Sequence, residues 1–199
     1  IGPFIETGAK LPAIDKLFAA GVDAMEAVSF VSPKAIAQMR DAADIVAALK
    51  RGPYMHKVLA LVPNKKGADL AVQAGVEKLT VVISASEAHN MSNVRKTPAQ
   101  SLEELHLITR EYPGVHIKLS LATVFGCPFK GEVSFEELCF VIDGAVAGGV
   151  RDICLCDTIG VGSPLQVSGI IAGLRRNYPG SVFSAPFHNP RGLAASTPY

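Results

Sequence analysis

Six glycines, Gly21, Gly52, Gly75, Gly114, Gly149 and Gly180, punctuate this chain at an average spacing of about 32 residues. Each follows a helix-like stretch and precedes a short run rich in β-branched residues, and glycine can end a helix in the left-handed conformation without steric cost. The runs cover residues 24–30, 57–62, 78–84, 116–123, 152–157 and 182–188. Several are almost continuously apolar, such as Leu79-Thr80-Val81-Val82-Ile83, a pattern that suits a parallel strand covered on both faces. Helix starts are also marked. Ser32-Pro33 and Ser163-Pro164 put a capping hydroxyl before a proline, and Thr97-Pro98-Ala99-Gln100 and Ser134-Phe135-Glu136-Glu137 fit the capping box. The spacing predicts helices over about 8–20, 33–50, 65–74, 98–111, 134–148 and 164–177. Six alternations of strand and helix define an α/β protein with a parallel sheet.

An open doubly wound sheet and a closed barrel both satisfy that alternation. The dinucleotide-binding version needs Gly-x-Gly-x-x-Gly after a strand, and the sequence has none. A (β/α)8 TIM barrel needs about 250 residues, or eight units of about 31. With 199 residues, a first strand reduced to Ile1-Gly2-Pro3 and a last strand ending near His188, the expectation is an incomplete barrel. About strands one to seven are present and the eighth is missing. Residues 1–199 then form a single barrel domain, interrupted at the first-strand loop and at the C-terminus.

Composition narrows the function classes. With 49% apolar and 19% charged residues and a net charge of +1, the chain has the hydrophobicity to fold. It lacks the basic cluster of a nucleic-acid surface. No apolar run reaches the roughly 18 residues of a membrane span, and no signal-peptide pattern opens the chain. Cys127, Cys139, Cys154 and Cys156 are too few and too irregularly spaced for a disulfide scaffold or structural zinc site, so a reduced, cytoplasmic protein is expected, with an organelle matrix as the other option.

Active sites of such barrels lie at the C-terminal ends of the strands. Polar residues there are Glu26 and Ser29, Asn64, Ser84 with Ser86 and Glu87, Thr123, Asp157 with Thr158, and His188 with Asn189. They come from six strands and converge only if the sheet closes. Glu26 is the most telling, because a charge inside Ala24-Met25-Glu26-Ala27-Val28-Ser29-Phe30 would be costly if unpaired. Asp157 reads equally as a chemical group and as the cap of a turn. His188 alone reads first as an ordinary histidine. A carboxylate, a histidine and an amide from neighbouring strand ends would nevertheless suit a divalent cation. Gly126-Cys127-Pro128-Phe129 reads as a tight loop before it reads as a reactive thiol.

At these positions the chain resembles the 3-hydroxy-3-methylglutaryl-CoA lyases. Glu26 with Ser29-Phe30-Val31-Ser32-Pro33-Lys34 is similar to their second-strand signature. Val62-Pro63-Asn64-Lys65-Lys66-Gly67, Gly126-Cys127-Pro128-Phe129-Lys130-Gly131 and Asp157-Thr158-Ile159-Gly160-Val161-Gly162 follow in order, and His188-Asn189-Pro190-Arg191-Gly192 resembles the end of a His-x-His motif. The resemblance implies a divalent metal, Mg²⁺ or Mn²⁺, and cleavage of the acyl-CoA substrate into acetoacetate and acetyl-CoA. It implies His188 as metal ligand, Glu26 and Asp157 as catalytic residues, and Ser29, Asn64 and Thr123 as substrate contacts. The expected partner is an acyl-CoA, with no nucleic acid and no membrane; a homodimer is a possible assembly.

The departures are as definite. Gly2-Pro3 runs straight into Phe4-Ile5-Glu6-Thr7, where the family carries Arg-Asp-Gly, and Pro186 stands at the first His of His-x-His. The family's later loop, with its acid cysteine and a further Asn ligand, has no counterpart before Tyr199. Taken literally, one of four metal ligands is present. Because Phe4-Ile5-Glu6-Thr7 resembles family sequence several residues beyond Arg-Asp-Gly, a skipped loop is expected rather than a true deletion. The alternatives are another metal-dependent barrel aldolase or Claisen-type synthase, or a non-catalytic barrel fragment.

Overall fold

The computed structural model describes residues 2–188. Its six strands form one parallel sheet ordered as they occur in the chain. They are β1 (Met25–Ser29), β2 (Val58–Val62), β3 (Lys78–Ser84), β4 (His116–Ala122), β5 (Asp152–Leu155) and β6 (Val182–Ser184). All six fall within the expected β-branched runs, although β5 stops at Leu155 and β6 at Ser184, short of the expected ends at 157 and 188. Gly2 and Pro3, the expected remnant of a further strand, are irregular, and Ile1 lies outside the described residues. The chain divides into two compact units, Ile1–Val81 with Tyr112–Ile117, and Val82–Glu111 with Lys118 onward.

The first unit contains α1 (Thr7–Ala19), α2 (Ala42–Leu49) and α3 (Lys65–Ala74). Ile14, Phe18, Val46, Leu49, Val58, Ala60, Val62, Ala68 and Ala71 are buried. Along β2, Val58, Ala60 and Val62 are buried while Leu59 and Leu61 are half-buried, so the two faces of this apolar strand are not equally covered. Gly75 ends α3 with φ at 95°, as its place after a helical stretch requires.

The helix expected over 33–50 does not form as one piece. Residues 33–35 turn back on the Ser32 carbonyl, which accepts from Ala35 N at 2.9 Å and Ile36 N at 3.0 Å. A single 3-10 turn follows at Ala37–Met39, and α2 begins only at Ala42. Ile36 is extended, with φ −134° and ψ 90°. The Gln38 carbonyl, which a continuous helix would offer to the Ala42 N–H, instead accepts from Lys10 Nζ at 2.7 Å. A contact 28 residues away has overridden the local start signal.

Asp41 belongs to the same junction. Its buried carboxylate accepts from Thr7 Oγ1 and Lys10 Nζ, each at 2.7 Å. Burial pushes its pKa up, but the hydrogen bonds from Lys10 and Thr7 and the Lys10 charge outweigh that push and hold it below 3.8. A depressed folded pKa stabilises the protein above the unfolded pKa of about 4 and ceases to do so as pH falls through the folded value. Asp41→Asn is therefore expected to cost about 1 kcal/mol at neutral pH. The difference between the variant and wild-type melting curves should close in acid.

The second unit contains α4 (Glu87–Val94), α5 (Pro98–Glu111), α6 (Phe135–Ala147) and α7 (Pro164–Asn177). The expected caps are present. Thr97 N–H donates to Gln100 Oε1 at 2.9 Å and Gln100 N–H to Thr97 Oγ1 at 3.2 Å. Ser134 and Glu137 complete the second capping box, and the Ser163 hydroxyl accepts from Gln166 N. Leu105, Ile108, Leu119, Leu121, Leu138, Ile142, Ile153, Leu155 and Leu174 are fully enclosed. The α4 helix is an addition to the sequence-based expectation; Ser86 caps it by accepting from His89 N at 3.4 Å.

Candidate functional site

In the second unit, β5 runs out at Leu155 and delivers Asp157, buried, to the start of the next turn. Asp157 Oδ1 accepts from Val161 N at 2.9 Å and Gly162 N at 3.2 Å, closing that turn. Its Oδ2 has no hydrogen-bond partner among the described residues. A Cβ on Gly162 would stand 3.3 Å from Oδ2 and 3.3 Å from Phe125 Cγ. Glycine therefore keeps the space beside this second oxygen open. One oxygen of Asp157 is structural and the other is available.

His188 reaches the same residue from beyond β6. Phe187 forms an isolated parallel bridge with Asp157, and its ring lies 5.8 Å from that of Phe125. His188 Nδ1 is 2.6 Å from the Asp157 carbonyl oxygen. A carbonyl oxygen only accepts, so Nδ1 carries the proton, which in the neutral ring leaves the lone pair on Nε2. A second-sphere hydrogen bond of this kind fixes the tautomer of metal-binding histidines. His188 is exposed. Asn189 and the rest of its motif lie outside the described residues.

Thr123, at the end of β4, is fully buried and has φ at 62°, a left-handed conformation that is a genuine outlier for a β-branched side chain. Its hydroxyl donates to the Ala122 carbonyl at 2.6 Å and accepts from Ser86 N at 3.2 Å, while its N–H donates to Thr158 Oγ1 at 2.7 Å. These bonds offset the strain and tie the ends of β3, β4 and β5 together within this unit. Ser86 Oγ also lies 3.0 Å from Cys127 Sγ. Burial pushes the Cys127 thiol up, but Ser86, the backbone N–H groups of Lys130 and Phe129 and the Lys130 charge outweigh it and leave the pKa below 9.0. The Cys127 and Gly131 backbones bond reciprocally, at 2.7 and 2.9 Å, which makes 127–131 the tight loop expected.

The sequence reading passed over His89. Its Nδ1 lies 2.7 Å from Ser84 Oγ, and burial pushes its pKa below the ordinary histidine value. Asn90 is buried beside it, accepting from Ser84 N at 2.8 Å. The signal that could have found them is Ser86, a good capping residue three positions before His89.

In the first unit, Glu26 sits on β1 and is exposed. The desolvation argument made for it from the apolar run does not apply. The register of β1 against β2 shifts between Glu26 and Val28. Ser29 ends β1, half-buried, opposite Leu61. Asn64 caps α3, its Oδ1 accepting from Gly67 N at 2.9 Å. Gly67 is packed so closely that a Cβ would come 2.7 Å from the Phe30 carbonyl oxygen and 3.1 Å from Pro63 Cδ.

Among the described residues no group of three His, Cys, Asp or Glu side chains is arranged to hold a metal ion. Nor is any helix among them long and apolar enough to cross a membrane.

Comparison with known proteins adds to this geometry. The HMGL-like family model matches residues 1–198. Hydroxymethylglutaryl-CoA lyase YngG of Bacillus subtilis is 33% identical over 193 residues, covering 96% of this chain and 64% of the relative. The (R)-citramalyl-CoA lyase of Chloroflexus aurantiacus is 32% identical over 198 residues, with 94% and 62% covered. A solved structure of an HMG-CoA lyase from Acinetobacter baumannii, in complex with coenzyme A and 3-methylmalate, matches with a TM-score of 0.91 at 34% identity, covering 98% of this chain and 64% of that one. The solved neighbours are of TIM-barrel type, and the six strands here make an incomplete version of it. The chain spans about 64% of the length of such relatives.

Proposed function

From the premise that the chain belongs to the HMGL-like family, we propose that it is part of a carbon–carbon lyase that cleaves 3-hydroxy-3-methylglutaryl-CoA into acetoacetate and acetyl-CoA. Residues 1–199 are read as one barrel domain of that enzyme. The observation that carries the proposal is the Asp157–His188 pair, a carboxylate with one oxygen uncommitted among the described residues and a histidine whose Nδ1 is 2.6 Å from the same residue's carbonyl oxygen. The family is divalent-metal dependent in general, and His188 Nε2 fits one ligand position for Mg²⁺ or Mn²⁺. Such an ion, when bound, supplies Lewis-acid polarisation of the substrate oxygens and a template for their orientation. Asp157 Oδ2 accepts the proton of the substrate's tertiary hydroxyl, the carbon–carbon bond breaks, and the acetyl-CoA enolate is released for protonation. Thr123, expected as a substrate contact, is fully buried with its hydroxyl engaged by Ala122 and Ser86, so its role becomes that of positioning the Asp157 end of the site through Thr158. Glu26 as a catalytic residue, and Ser29 and Asn64 as substrate contacts, rest on their motifs.

The test is a cleavage assay on the intact protein, with acetyl-CoA and acetoacetate as the measured products. Turnover should require Mg²⁺ or Mn²⁺, vanish with a chelator and return on metal addition. His188→Ala should weaken metal affinity by more than about 10-fold and lower activity with it, without loss of fold. Metal-replete protein that leaves the substrate intact would overturn the proposal. Cleavage of a citramalyl-type thioester in its place would move the substrate to that of the Chloroflexus relative.

A further inference from the structure

We propose that Cys154 and Cys156 together form a two-sulfur binding site for one thiophilic divalent ion of the zinc or cadmium type, separate from the position assigned to His188. Alternation along β5 puts Asp152 and Cys154 on one face, and Ile153 and Leu155, both fully buried, on the other; Cys156 follows just past the end of the strand. The two cysteines are half-buried, so their face is more open than the packed one.

The distance between the sulfurs is the central observation. The Cys156 thiol lies 3.9 Å from Cys154 Sγ. Two thiolates on a tetrahedral zinc ion, each at about 2.3 Å, stand about 3.8 Å apart. The pair is thus held near the separation such an ion spans. A disulfide is a poorer fit, because residues two apart on a strand have Cα atoms about 6.4–6.8 Å apart, at the upper edge of what a disulfide tolerates.

The surroundings suit the ion. Ser120 Oγ is 3.1 Å from Cys156 Sγ. Ser184 is the register partner of Cys154, and its side chain helps to favour the Cys154 thiolate. Lys118, whose charge would oppose a cation, is 3.7 Å from the Asp152 carboxylate. Binding displaces one proton from each thiol, leaving two thiolates on the ion and water in its remaining positions. The hydrogen bond with Cys156, against the opposing effect of burial and with help from Ser184 and the Lys118 charge over that of Asp152, brings the Cys154 thiol down to about 7, so the Cys154 proton leaves readily at neutral pH. Soft sulfur donors discriminate against Mg²⁺, which keeps this site distinct from an oxygen-rich magnesium site.

The test titrates the intact protein with Cd²⁺ in excess Mg²⁺, following thiolate-to-metal charge-transfer absorbance and alkylation of each cysteine by mass spectrometry. One Cd²⁺ per chain should bind, protecting Cys154 and Cys156 from alkylation. Cys154→Ser and Cys156→Ser should each weaken binding by at least about tenfold, while Cys127→Ser and Cys139→Ser leave it unchanged. Wild-type protein in which Cd²⁺ leaves Cys154 and Cys156 fully reactive would overturn the proposal without recourse to any variant. So would a charge-transfer band that survives at full affinity in the folded double variant.

Discussion

Asp157→Asn is expected to lower the turnover number by about 10²–10⁴-fold while leaving the melting temperature nearly unchanged. The two effects separate because the two oxygens of this carboxylate have different work. Oδ1 accepts from the Val161 and Gly162 backbone, and an asparagine carbonyl can take over both bonds, being itself a good turn residue. What asparagine cannot supply is the negative charge and basicity of Oδ2. If that oxygen takes the substrate hydroxyl proton, the loss falls mainly in the transition state, so kcat drops more than KM rises. Steady-state kinetics beside a thermal melt on the intact protein decide the matter. Turnover close to wild type would reduce Asp157 to the turn cap that its position alone equally suggested.

Gly67→Ala is expected to destabilise the protein by about 2 kcal/mol, against the direction that helix propensity gives. Within a helix, alanine is favoured over glycine by about 0.5–1 kcal/mol, and Gly67 lies in the first turn of α3. The added methyl, however, would lie 2.7 Å from the Phe30 carbonyl oxygen and 3.1 Å from Pro63 Cδ. Neither is the flexible end of a side chain. Overpacking of this kind costs about 1–3 kcal/mol, and the strain would also reach the Asn64–Gly67 cap. A denaturant or thermal melt gives the sign directly. A stabilised variant would mean that the β1–α3 junction yields more readily than its packing indicates.

The strands were legible because each is announced twice, by a glycine that ends the preceding stretch and by the β-branched run after it. Helix starts were legible where the signal was a local hydrogen bond, as at Thr97, Ser134 and Ser163. At Ser32-Pro33 the same kind of signal misled, since Lys10 takes the carbonyl that the helix needed, and no local pattern records a partner 28 residues upstream. The α4 helix went unread because Glu87–Val94 is too polar to show an apolar stripe. At the site, Asp157 and His188 were chosen singly from strand ends. The bond that relates them spans 31 residues and follows from strand register, which the sequence does not print. Glu26 was singled out for a desolvation cost that its exposure removes, so its candidacy stands on its motif.

The chain-ordered sheet has a consequence for how the protein is made. Each described strand before β6 pairs with the next strand to be synthesised, with Ala60 and Leu79 separated by 19 residues and Lys118 and Asp152 by 34. The entropy of closing such loops grows only slowly with their length, and contacts between near neighbours in sequence favour rapid folding. Assembly can therefore proceed vectorially, each crossover helix docking as it leaves the ribosome and presenting an edge for the following strand. Among the described strands, β6 is the last to find its place.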